Sequence, residues 1–383
     1  MKTRKFFVTA IVLILSFTLM SFGGGNNVQS ESSEMRGIWI PYMSLTLSEG
    51  ERTEQGFHRK IDDMVKKCAE YKINTAIVQV RPFSDALYPS DIFPYSHIIT
   101  GKQGINPDFD CLKYIVEKFH EKNISVHAWV NPLRVSTGQT PAYIAENNPC
   151  KKYPTFTYKD GIYYDPSYPE VRKLIIDGIE EIVRNYDVDG VQIDDYFYPS
   201  EDLDYDKKSY DEYAKSVKSD FLPVSQSEWR KANINMLAEG IYSRVNSIKE
   251  NIVFGIAPQC NFDNNEKIGA DVGVWCSQRG YIDYICPQIY VSNDHPVFPF
   301  EPLADRWKAT VSNNDIKLYA GLGMYKAGSD ADSGTWLSSD DNIKKQIEYI
   351  RKINADGFIL YSYEYLESKS TEKEVKNALS VID

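Results

Sequence analysis

The stretch Asp189–Pro199, which reads DGVQIDDYFYP, decides the fold of this chain and much of its candidate chemistry. It has the pattern of a buried parallel β-strand, in which the β-branched residues Val191 and Ile193 alternate with Gln192 and Asp194. Successive side chains of a strand point to opposite faces, so the apolar pair is expected to face surrounding helices. The alternation therefore predicts that Gln192 and Asp194 point inward, with a carboxylate at the end of the strand.

The same pattern occurs eight times along the chain, with helical periods in between. The helical spacing is clearest over residues 171–186, where apolar residues form one continuous stripe. Eight strand–helix units without a break in composition predict an α/β fold, a single (β/α)8 TIM barrel with enlarged βα loops, over residues 35–383. A doubly wound open sheet is the alternative, but the chain contains no GxGxxG or P-loop motif for its nucleotide-binding version. The predicted strands are Arg36–Tyr42, Thr75–Pro82, Ser125–Pro132, Asp189–Tyr196, Ile252–Pro258, Tyr281–Tyr290, Lys317–Met324 and Gly357–Tyr365.

Residues 1–25 have the pattern of a secretory signal peptide: basic residues, the apolar run Phe6–Phe22, and then Gly23–Gly25. Residues 26–34 are polar and are expected to form a disordered linker. The alternative is an uncleaved membrane anchor, because the apolar run approaches the length of a spanning helix. We expect cleavage and a secreted or periplasmic protein without integral membrane contact.

The composition favours an uncharged partner. The chain has 43 Lys and Arg residues against 54 Asp and Glu residues, a net charge of −11, so no basic surface for nucleic acid is expected. Its 27 tyrosines offer flat apolar faces with polar tips, which suit sugar rings. We expect a monomer that acts on a carbohydrate polymer or oligosaccharide and needs no cofactor.

Carboxylates at the strand ends are the discriminating feature, because a TIM barrel builds its active site where its strands end. Only Asp194 and Asp195 at the end of the fourth predicted strand and Glu364 at the end of the eighth are placed there. Glycoside hydrolysis usually needs two carboxyl groups. We therefore predict Asp194 as nucleophile or base, and Asp195 or Glu364 as the acid. The structural alternative for Asp195 is a loop cap or a salt bridge to Arg81 or Arg134.

Other polar and aromatic residues near the strand ends are predicted to bind substrate, although barrel mouths also bury aromatic residues simply to fill space. His127 has no second histidine near it at ligand spacing, so no metal site is predicted. The insertions 143–164 and 200–221 are expected to form the walls of a cleft. The predicted substrate-binding residues are Gln79, Arg81, His127, Trp129, Asn131, Gln192, Tyr196, Tyr198, Gln288, Tyr290 and Tyr363.

Six ordered motifs from Met35 onward resemble the glycosyl hydrolase-like family 10, a family of exported bacterial barrels. They are MRGIWIPY (35–42), AIVQVRPFSDALYPSDIFPYS (76–96), VHAWVNPLRV (126–135), YYDPSYPEVR (163–172), DGVQIDDYFYP (189–199) and GYIDYICPQIY (280–290).

The resemblance implies an extracytoplasmic carbohydrate substrate, with bacterial cell-wall (peptidoglycan) glycan favoured. It also implies that Asp194 and Asp195 are the family's carboxylates and that Gln79, Arg81, His127, Asn131, Gln288 and Tyr290 are its mouth residues. The glutamate pair of true family 10 xylanases is absent, since strand seven carries no carboxylate. Xylanase activity is therefore not implied.

Two other functions remain open from the sequence. One is a non-catalytic glycan-binding barrel, and the other is a metal-assisted hydrolase or deacetylase that uses His127 with the aspartate pair. The fourth strand also resembles the chitinase-like DGxDxDxE pattern, but Tyr196 takes the place of the acid. That difference disfavours a substrate-assisted mechanism at this stage.

Overall fold

The structure is a computed structural model, and it describes residues 34–195 and 197–382. The expected signal peptide 1–25, nearly all of the expected linker 26–34, and Tyr196 lie outside the described residues. The strands are β1 (Met35–Ile40), β2 (Thr75–Arg81), β3 (Ser125–Val130), β4 (Arg134–Ser136), β5 (Thr155–Tyr158), β6 (Gly161–Tyr164), β7 (Gly190–Asp194), β8 (Val253–Ala257), β9 (Tyr284–Ile285), β10 (Gln288–Ile289), β11 (Lys317–Leu322) and β12 (Gly357–Leu360).

The α-helices alternate with these strands. They are α1 (Tyr42–Leu45), α2 (Glu54–Glu70), α3 (His97–Thr100), α4 (Cys111–His120), α5 (Pro169–Asn185), α6 (Lys207–Ser216), α7 (Gln226–Ile248), α8 (Phe262–Lys267), α9 (Val272–Ser277), α10 (Phe300–Thr310), α11 (Asn342–Lys352) and α12 (Glu372–Leu379). Short 3₁₀ turns cover Glu49–Glu51, Pro149–Lys151, Met324–Lys326, Asp332–Gly334 and Tyr363–Tyr365. In the part of the chain that the structure describes, none of the helices is both long and apolar enough to cross a bilayer.

The strands close into a parallel barrel in the order β1, β2, β3, β7, β8, β9 with β10, β11, β12, and β12 pairs again with β1. The (β/α)8 prediction is confirmed, and so are the positions of its strands. Two strands differ in detail. The sixth is divided into β9 and β10 at Pro287, which has no N–H to donate to the ladder. The eighth ends at Leu360, before the predicted limit Tyr365, and the chain then enters a 3₁₀ turn.

Two apolar layers hold the barrel together. Outside the sheet, Val191 and Ile193 of β7 pack with the buried stripe of α5, which includes Ile179 and Ile182. Inside the barrel, a separate cluster contains Trp39, Ile77, Trp129, Ala257, Tyr284, Cys286 and Ile359. Alternation along the strands thus assigns each side chain to one layer, as the sequence predicted for β7.

The two insertions, residues 143–164 and 200–221, contact each other. The first supplies β5 and β6 of the antiparallel sheet β4-β6-β5, and the second contains α6. Phe156 of β5 lies against Tyr205 of the second insertion, with ring centroids 4.9 Å apart. The buried pair Arg230–Asp206 anchors the second insertion to α7, with Arg230 Nε donating to Asp206 Oδ2 at 2.7 Å. The insertion is therefore fastened to the barrel at several points.

Candidate active site

A cavity of about 280 Å³ opens at the carboxyl ends of the barrel strands. It combines carboxylates, an amide and aromatic rings, the mixture that binds and turns over a sugar. Its lining residues are Trp39, Trp129, Asp194, Asp195, Ala257, Gln288, Tyr290, Tyr325 and Tyr361.

Asp194 is the last residue of β7 and is 4% exposed. Its Oδ2 accepts hydrogen bonds from Trp129 Nε1 at 3.1 Å and from Asn131 Nδ2. Its Oδ1 has no hydrogen-bond partner among the described residues. The carboxyl group is therefore held through Oδ2 alone. Its Oδ1 is a buried acceptor without a donor among the described residues, and leaving a buried acceptor unsatisfied costs free energy.

Asn131 is fixed in turn by two donors to its Oδ1, Gln79 Nε2 and Arg134 Nη2, the latter at 2.9 Å. Because both donors approach the carbonyl oxygen, the amide nitrogen must turn toward Asp194. Arg134 is itself held by Pro82 O, which accepts from its Nε at 3.1 Å. A chain of hydrogen bonds thus runs from β2 and β4 to the oxygen of Asp194.

Asp195 follows Asp194 directly and is half-buried. Its Oδ1 accepts a hydrogen bond from Gln288 Nε2 at 2.8 Å, and the same nitrogen donates to Ala257 O at 3.0 Å. The positive charge of Arg134 also acts on Asp195, where it opposes the rise in pKa that burial causes. The two aspartates are therefore fastened to different neighbours, Asp194 to β3 and Asp195 to β10.

The environment shifts the pKa values of both carboxyl groups upward. Burial, with a further contribution from the charge of Asp195, raises the pKa of Asp194 to about 7. Burial also raises the pKa of Asp195, while its hydrogen bond from Gln288 acts in the opposite direction. Two interacting carboxyl groups titrate as a pair, so the pair holds its last proton to a higher pH than an isolated aspartate would. That proton is what an acid catalyst needs.

A second polar layer lies beneath the cavity. Gln192 accepts from Trp39 Nε1 at 2.6 Å and donates to Tyr284 OH at 3.1 Å. His127 Nδ1 lies 3.0 Å from the same hydroxyl, and burial lowers the pKa of His127 to about 4. These residues support the cavity from below, and Gln192 orients the indole of Trp39.

The rings of this layer fit because two glycines face them. A Cβ on Gly255 would lie 2.1 Å from the Tyr284 ring, and one on Gly190 would lie 2.8 Å from the His127 ring. Both distances are shorter than real Cβ contacts allow.

Seven of the predicted binding residues that the structure describes do not line the cavity. Four of them, Gln79, Asn131, Gln192 and His127, belong to the hydrogen-bond networks described above, and the other three lie elsewhere. A β-bulge between Gln79 and Arg81 turns the Arg81 side chain outward, where it lies 4.5 Å over the Phe93 ring. Tyr198 is buried under the insertions, with Arg230 at 4.9 Å over its ring. Tyr363 packs against the outer core.

Glu364 belongs to the 3₁₀ turn that follows β12 and is exposed. It is not among the residues that line the cavity. The early end of β12 at Leu360 is the physical reason, because only a continued strand would carry Glu364 along the barrel wall. The structure therefore brings together Asp194 and Asp195 and leaves Glu364 apart from them. Tyr196 lies outside the described residues.

Sequence reasoning missed four residues that line the cavity, which are Trp39, Ala257, Tyr325 and Tyr361. It considered Arg134 only as a salt-bridge partner of Asp195, whereas the structure shows Arg134 donating to Asn131. Strand alternation could have found two of them. Trp39 lies on the inward face of β1. Tyr361 follows the inward-facing Ile359 by two residues, so it is expected on the same face. Tyr325 lies in a 3₁₀ turn after β11 and had no such signal.

No metal site is apparent in residues 34–195 and 197–382, where no three His, Cys, Asp or Glu side chains are grouped closely enough to share an ion. His127 is engaged with Tyr284.

Comparison with known proteins identifies the family. Residues 34–338 match the sequence profile of the family described as Glycosyl hydrolase-like 10. The chain is 32% identical to "Glycosyl hydrolase YngK" of Bacillus subtilis over 382 residues, which cover 91% of this chain and 70% of the relative. It is 31% identical to "Glycosyl hydrolase DigH" of Escherichia coli K12, covering 91% of this chain and 87% of that relative.

Solved structures share the fold at low sequence identity. The glycoside hydrolase domain of PgaB (BpsB) from Bordetella bronchiseptica superposes with a TM-score of 0.60 at 12% identity, covering 90% of this chain and 98% of the domain. An endo-1,4-beta-mannanase from Rhizomucor miehei has a TM-score of 0.54 at 10% identity, covering 91% and 95%. The chain is a TIM-barrel glycosidase, and it belongs to the glycosyl hydrolase-like 10 family.

Proposed function

We propose that this protein is exported and hydrolyses O-glycosidic bonds in the glycan strands of the bacterial cell wall, with Asp194 and Asp195 as its catalytic carboxylates. The observation that carries the proposal is the pairing of these two residues in one aromatic-walled cavity at the mouth of a glycosidase barrel. Such a pair supplies the proton and the negative charge that cleavage of an acetal bond requires.

The surroundings assign a different role to each aspartate. Asp195 is half-buried, so it can exchange protons with the leaving oxygen and with water. Asp194 is nearly inaccessible to solvent, and its Oδ2 receives two N–H groups, an arrangement suited to a carboxylate that stays in place. Asp195 is therefore the general acid. Asp194 is the fixed carboxylate that supplies negative charge beside the reacting sugar.

Two features support the cell-wall substrate. The leader pattern of residues 1–25 indicates export, and the relatives come from bacteria, in which cell-wall glycan is the polysaccharide next to an exported protein. The aromatic side chains Trp39, Trp129, Tyr290 and Tyr325 line the cavity and offer flat faces to uncharged sugar rings.

The test is the release of reducing ends from purified cell-wall glycan strands, with a plant-polysaccharide panel as the comparison. Asp194→Asn and Asp195→Asn should each lower kcat by roughly 10²-fold to 10⁴-fold. Asp204→Asn is the matched control, because Asp204 is an exposed aspartate on the second insertion, outside the cavity. Glu364→Gln tests the other carboxylate that the sequence offered, and it should remain active.

Cleavage at the wild-type rate by Asp194→Asn would remove the assignment of this residue. Activity confined to plant polysaccharides would remove the cell-wall substrate. Export is tested separately: the mature protein should be recovered outside the cytoplasm, and its N-terminus should begin near Gly25. An intact leader on a cytoplasmic protein would contradict it.

A further inference from the structure

Both carboxyl groups of the cavity come from the end of one strand, β7. Among the described residues that line it, only the consecutive Asp194 and Asp195 carry a carboxyl group. Aromatic rings occupy the other side: Trp39 and Tyr290 meet edge to face at 6.2 Å, and Tyr290 lies 5.4 Å from Tyr361.

This arrangement does not supply the usual pair of catalytic groups. In a two-carboxylate mechanism, one group protonates the leaving oxygen, and the other attacks the anomeric carbon or activates water from the opposite face of the sugar. Asp194 and Asp195 both reach the sugar from the end of β7, and the strands across the barrel add no carboxyl group among the described lining residues. The wall that faces them offers indole and neutral phenol groups: burial raises the pKa of Tyr290 and of Tyr325, which makes these phenols poor nucleophiles. The attacking atom must then come from elsewhere.

The free acceptor on Asp194 indicates the source. Its Oδ1 is buried and without a partner in the described residues, while Oδ2 is already bound by Trp129 and Asn131. A buried carboxylate oxygen is stabilised by an N–H donor. A sugar with an acetamido group at carbon 2 brings such an N–H next to the anomeric carbon, together with a carbonyl oxygen that can reach that carbon.

We propose that hydrolysis is substrate-assisted: the carbonyl oxygen of the substrate's own 2-acetamido group is the nucleophile, Asp194 holds and polarises the acetamido N–H, and Asp195 is the general acid. The inference rests on the proposed function and deepens it by naming the reacting group of the substrate. It also assigns to Asp194 a role that the chitinase-like spacing of the sequence had disfavoured.

The acetamido oxygen forms a bond to the anomeric carbon while the glycosidic C–O bond breaks, and the leaving oxygen takes the proton of the Asp195 carboxyl. The N–H proton is shared with or transferred to Asp194, which leaves a bicyclic oxazoline. Water then attacks the anomeric carbon and gives a proton to Asp195, the oxazoline C–O bond breaks, and the acetamide recovers its proton from Asp194. The net reaction converts the glycoside and water into a sugar hemiacetal with retained anomeric configuration and the free hydroxyl of the leaving sugar.

The coupling between the two aspartates helps this step. An N–H that binds Asp194 Oδ1 favours the charged form of Asp194. The negative charge next to Asp195 then favours the protonated form of Asp195, since neighbouring like charges oppose ionisation. Substrate binding thus moves the shared proton of the pair to the residue that must donate it. The aromatic side of the cavity provides an apolar surface for the acetyl methyl group.

The test uses cell-wall glycan strands that are de-N-acetylated and then re-acylated with acetyl, monofluoroacetyl or trifluoroacetyl groups. Fluorine withdraws electrons from the carbonyl oxygen, so kcat should fall at each step and by roughly tenfold or more across the series. Strands that carry free amines should not be cleaved. Each modified strand is also measured as a competitor of the acetylated one, so that weaker binding is separated from slower chemistry.

A second measurement follows Asp194 directly. A bicyclic thiazoline derived from N-acetylglucosamine mimics the oxazoline, and it should bind wild type at least about 10²-fold more tightly than N-acetylglucosamine itself. Calorimetry should show that Asp194→Ala loses this preference and that Asp204→Ala keeps it. Circular dichroism of Asp194→Ala shows whether the variant is folded.

The outcomes separate the two proposals. Equal kcat across the acyl series, or inverted anomeric configuration of the product, would overturn the substrate-assisted mechanism and leave the hydrolase assignment intact. If fully acetylated strands are not cleaved at all, the proposed function fails, and this mechanism fails with it.

Discussion

At the scale of single residues, the orientation of one carboxyl group depends on a side chain outside the cavity. Arg134 is 7% exposed and donates to Asn131, which in turn donates to Asp194. The positive charge of Arg134 also lowers the pKa of Asp194, against the larger effect of burial. Arg134 is therefore a positioning residue that acts through Asn131.

The variant Arg134→Met should lower kcat by roughly tenfold to 10²-fold and change KM little, because the Asn131 amide loses a donor that fixes it. The pKa of Asp194 should rise further without the guanidinium charge. If Asp194 must be ionised, activity is lost as the pH falls through its pKa, so the acidic limb of the kcat profile should move to higher pH.

A pH-rate series for wild type and Arg134→Met checks this expectation. Arg279→Met is the control, because Arg279 has a side chain that is 81% exposed. An unchanged acidic limb in Arg134→Met would contradict the proposed role.

At the scale of elements, the second insertion is attached to the barrel by a buried charge pair. Arg230 and Asp206 are both almost inaccessible, and Arg230 also donates to Ser200 O at 3.0 Å and to Asp202 O at 2.6 Å. Its guanidinium lies 4.7 Å over the Tyr205 ring. One arginine thus holds the start of the insertion from several directions.

Arg230→Ala should destabilise the protein by about 3–5 kcal/mol, because Asp206 would remain buried without its partner. The double variant Arg230→Met with Asp206→Leu should recover much of that loss. Urea unfolding measures both variants, and limited proteolysis should cut Arg230→Ala first between residues 200 and 225. Equal stability of the single and double variants would argue against the charge pair as the anchor.

The C-terminal helix α12 is joined to α11 by another buried carboxyl. Glu374 is 3% exposed and accepts a hydrogen bond from Ile343 N at the start of α11. Burial raises the pKa of Glu374 from 4.5 to about 7, with smaller contributions from Asp340 and Asp341. The folded state therefore favours the protonated form of this group.

This shift predicts a loss of stability with rising pH. The pKa of Glu374 is higher in the folded protein than in the unfolded chain, where it is near 4.5. Its stabilising contribution is therefore complete below about pH 4.5 and is lost as the pH rises through about 7. Glu374→Gln should therefore weaken the fall in Tm between about pH 5 and about pH 8. The exposed Glu372→Gln on the same helix is the control. A Tm profile of Glu374→Gln identical to that of wild type would show that Glu374 does not titrate in this range.

At the scale of the whole molecule, the interior of the closed barrel holds large aromatic rings. These rings fit only because glycines lie beside them. Tyr284 lies over Gly255 and contributes its hydroxyl to both Gln192 and His127. The support of the cavity floor therefore depends on a contact between neighbouring strands β8 and β9.

Gly255→Ala should destabilise the protein by about 1–3 kcal/mol, because the added methyl group overlaps the Tyr284 ring. Activity should fall as well, since Gln192 and Trp39 lose their alignment. Gly273→Ala is the control: a Cβ at Gly273 in α9 meets nothing within 4 Å, and alanine favours the helix. Thermal unfolding measures both variants. A Tm for Gly255→Ala at or above that of wild type would show that the ring can move without cost.

Much of this architecture could be predicted from local sequence. The eight strands and the inward direction of Gln192 and Asp194 follow from alternation along single strands, and alternation is a property of the chain itself. The aspartate pair was found in the same way. The outward turn of Arg81 was not, because it depends on a bulge in the pairing of β2 with β3.

The sequence by itself determined the barrel fold and the position of the carboxylates at the end of one strand. Both follow from hydrophobic periodicity, which can be read within each element. Only the tertiary structure decided which side chains share the cavity. Trp39, Tyr325 and Tyr361 come from distant parts of the chain, and Glu364 is excluded because β12 ends early. Such choices depend on closure of the ring and on contacts between elements, which no single stretch of sequence contains.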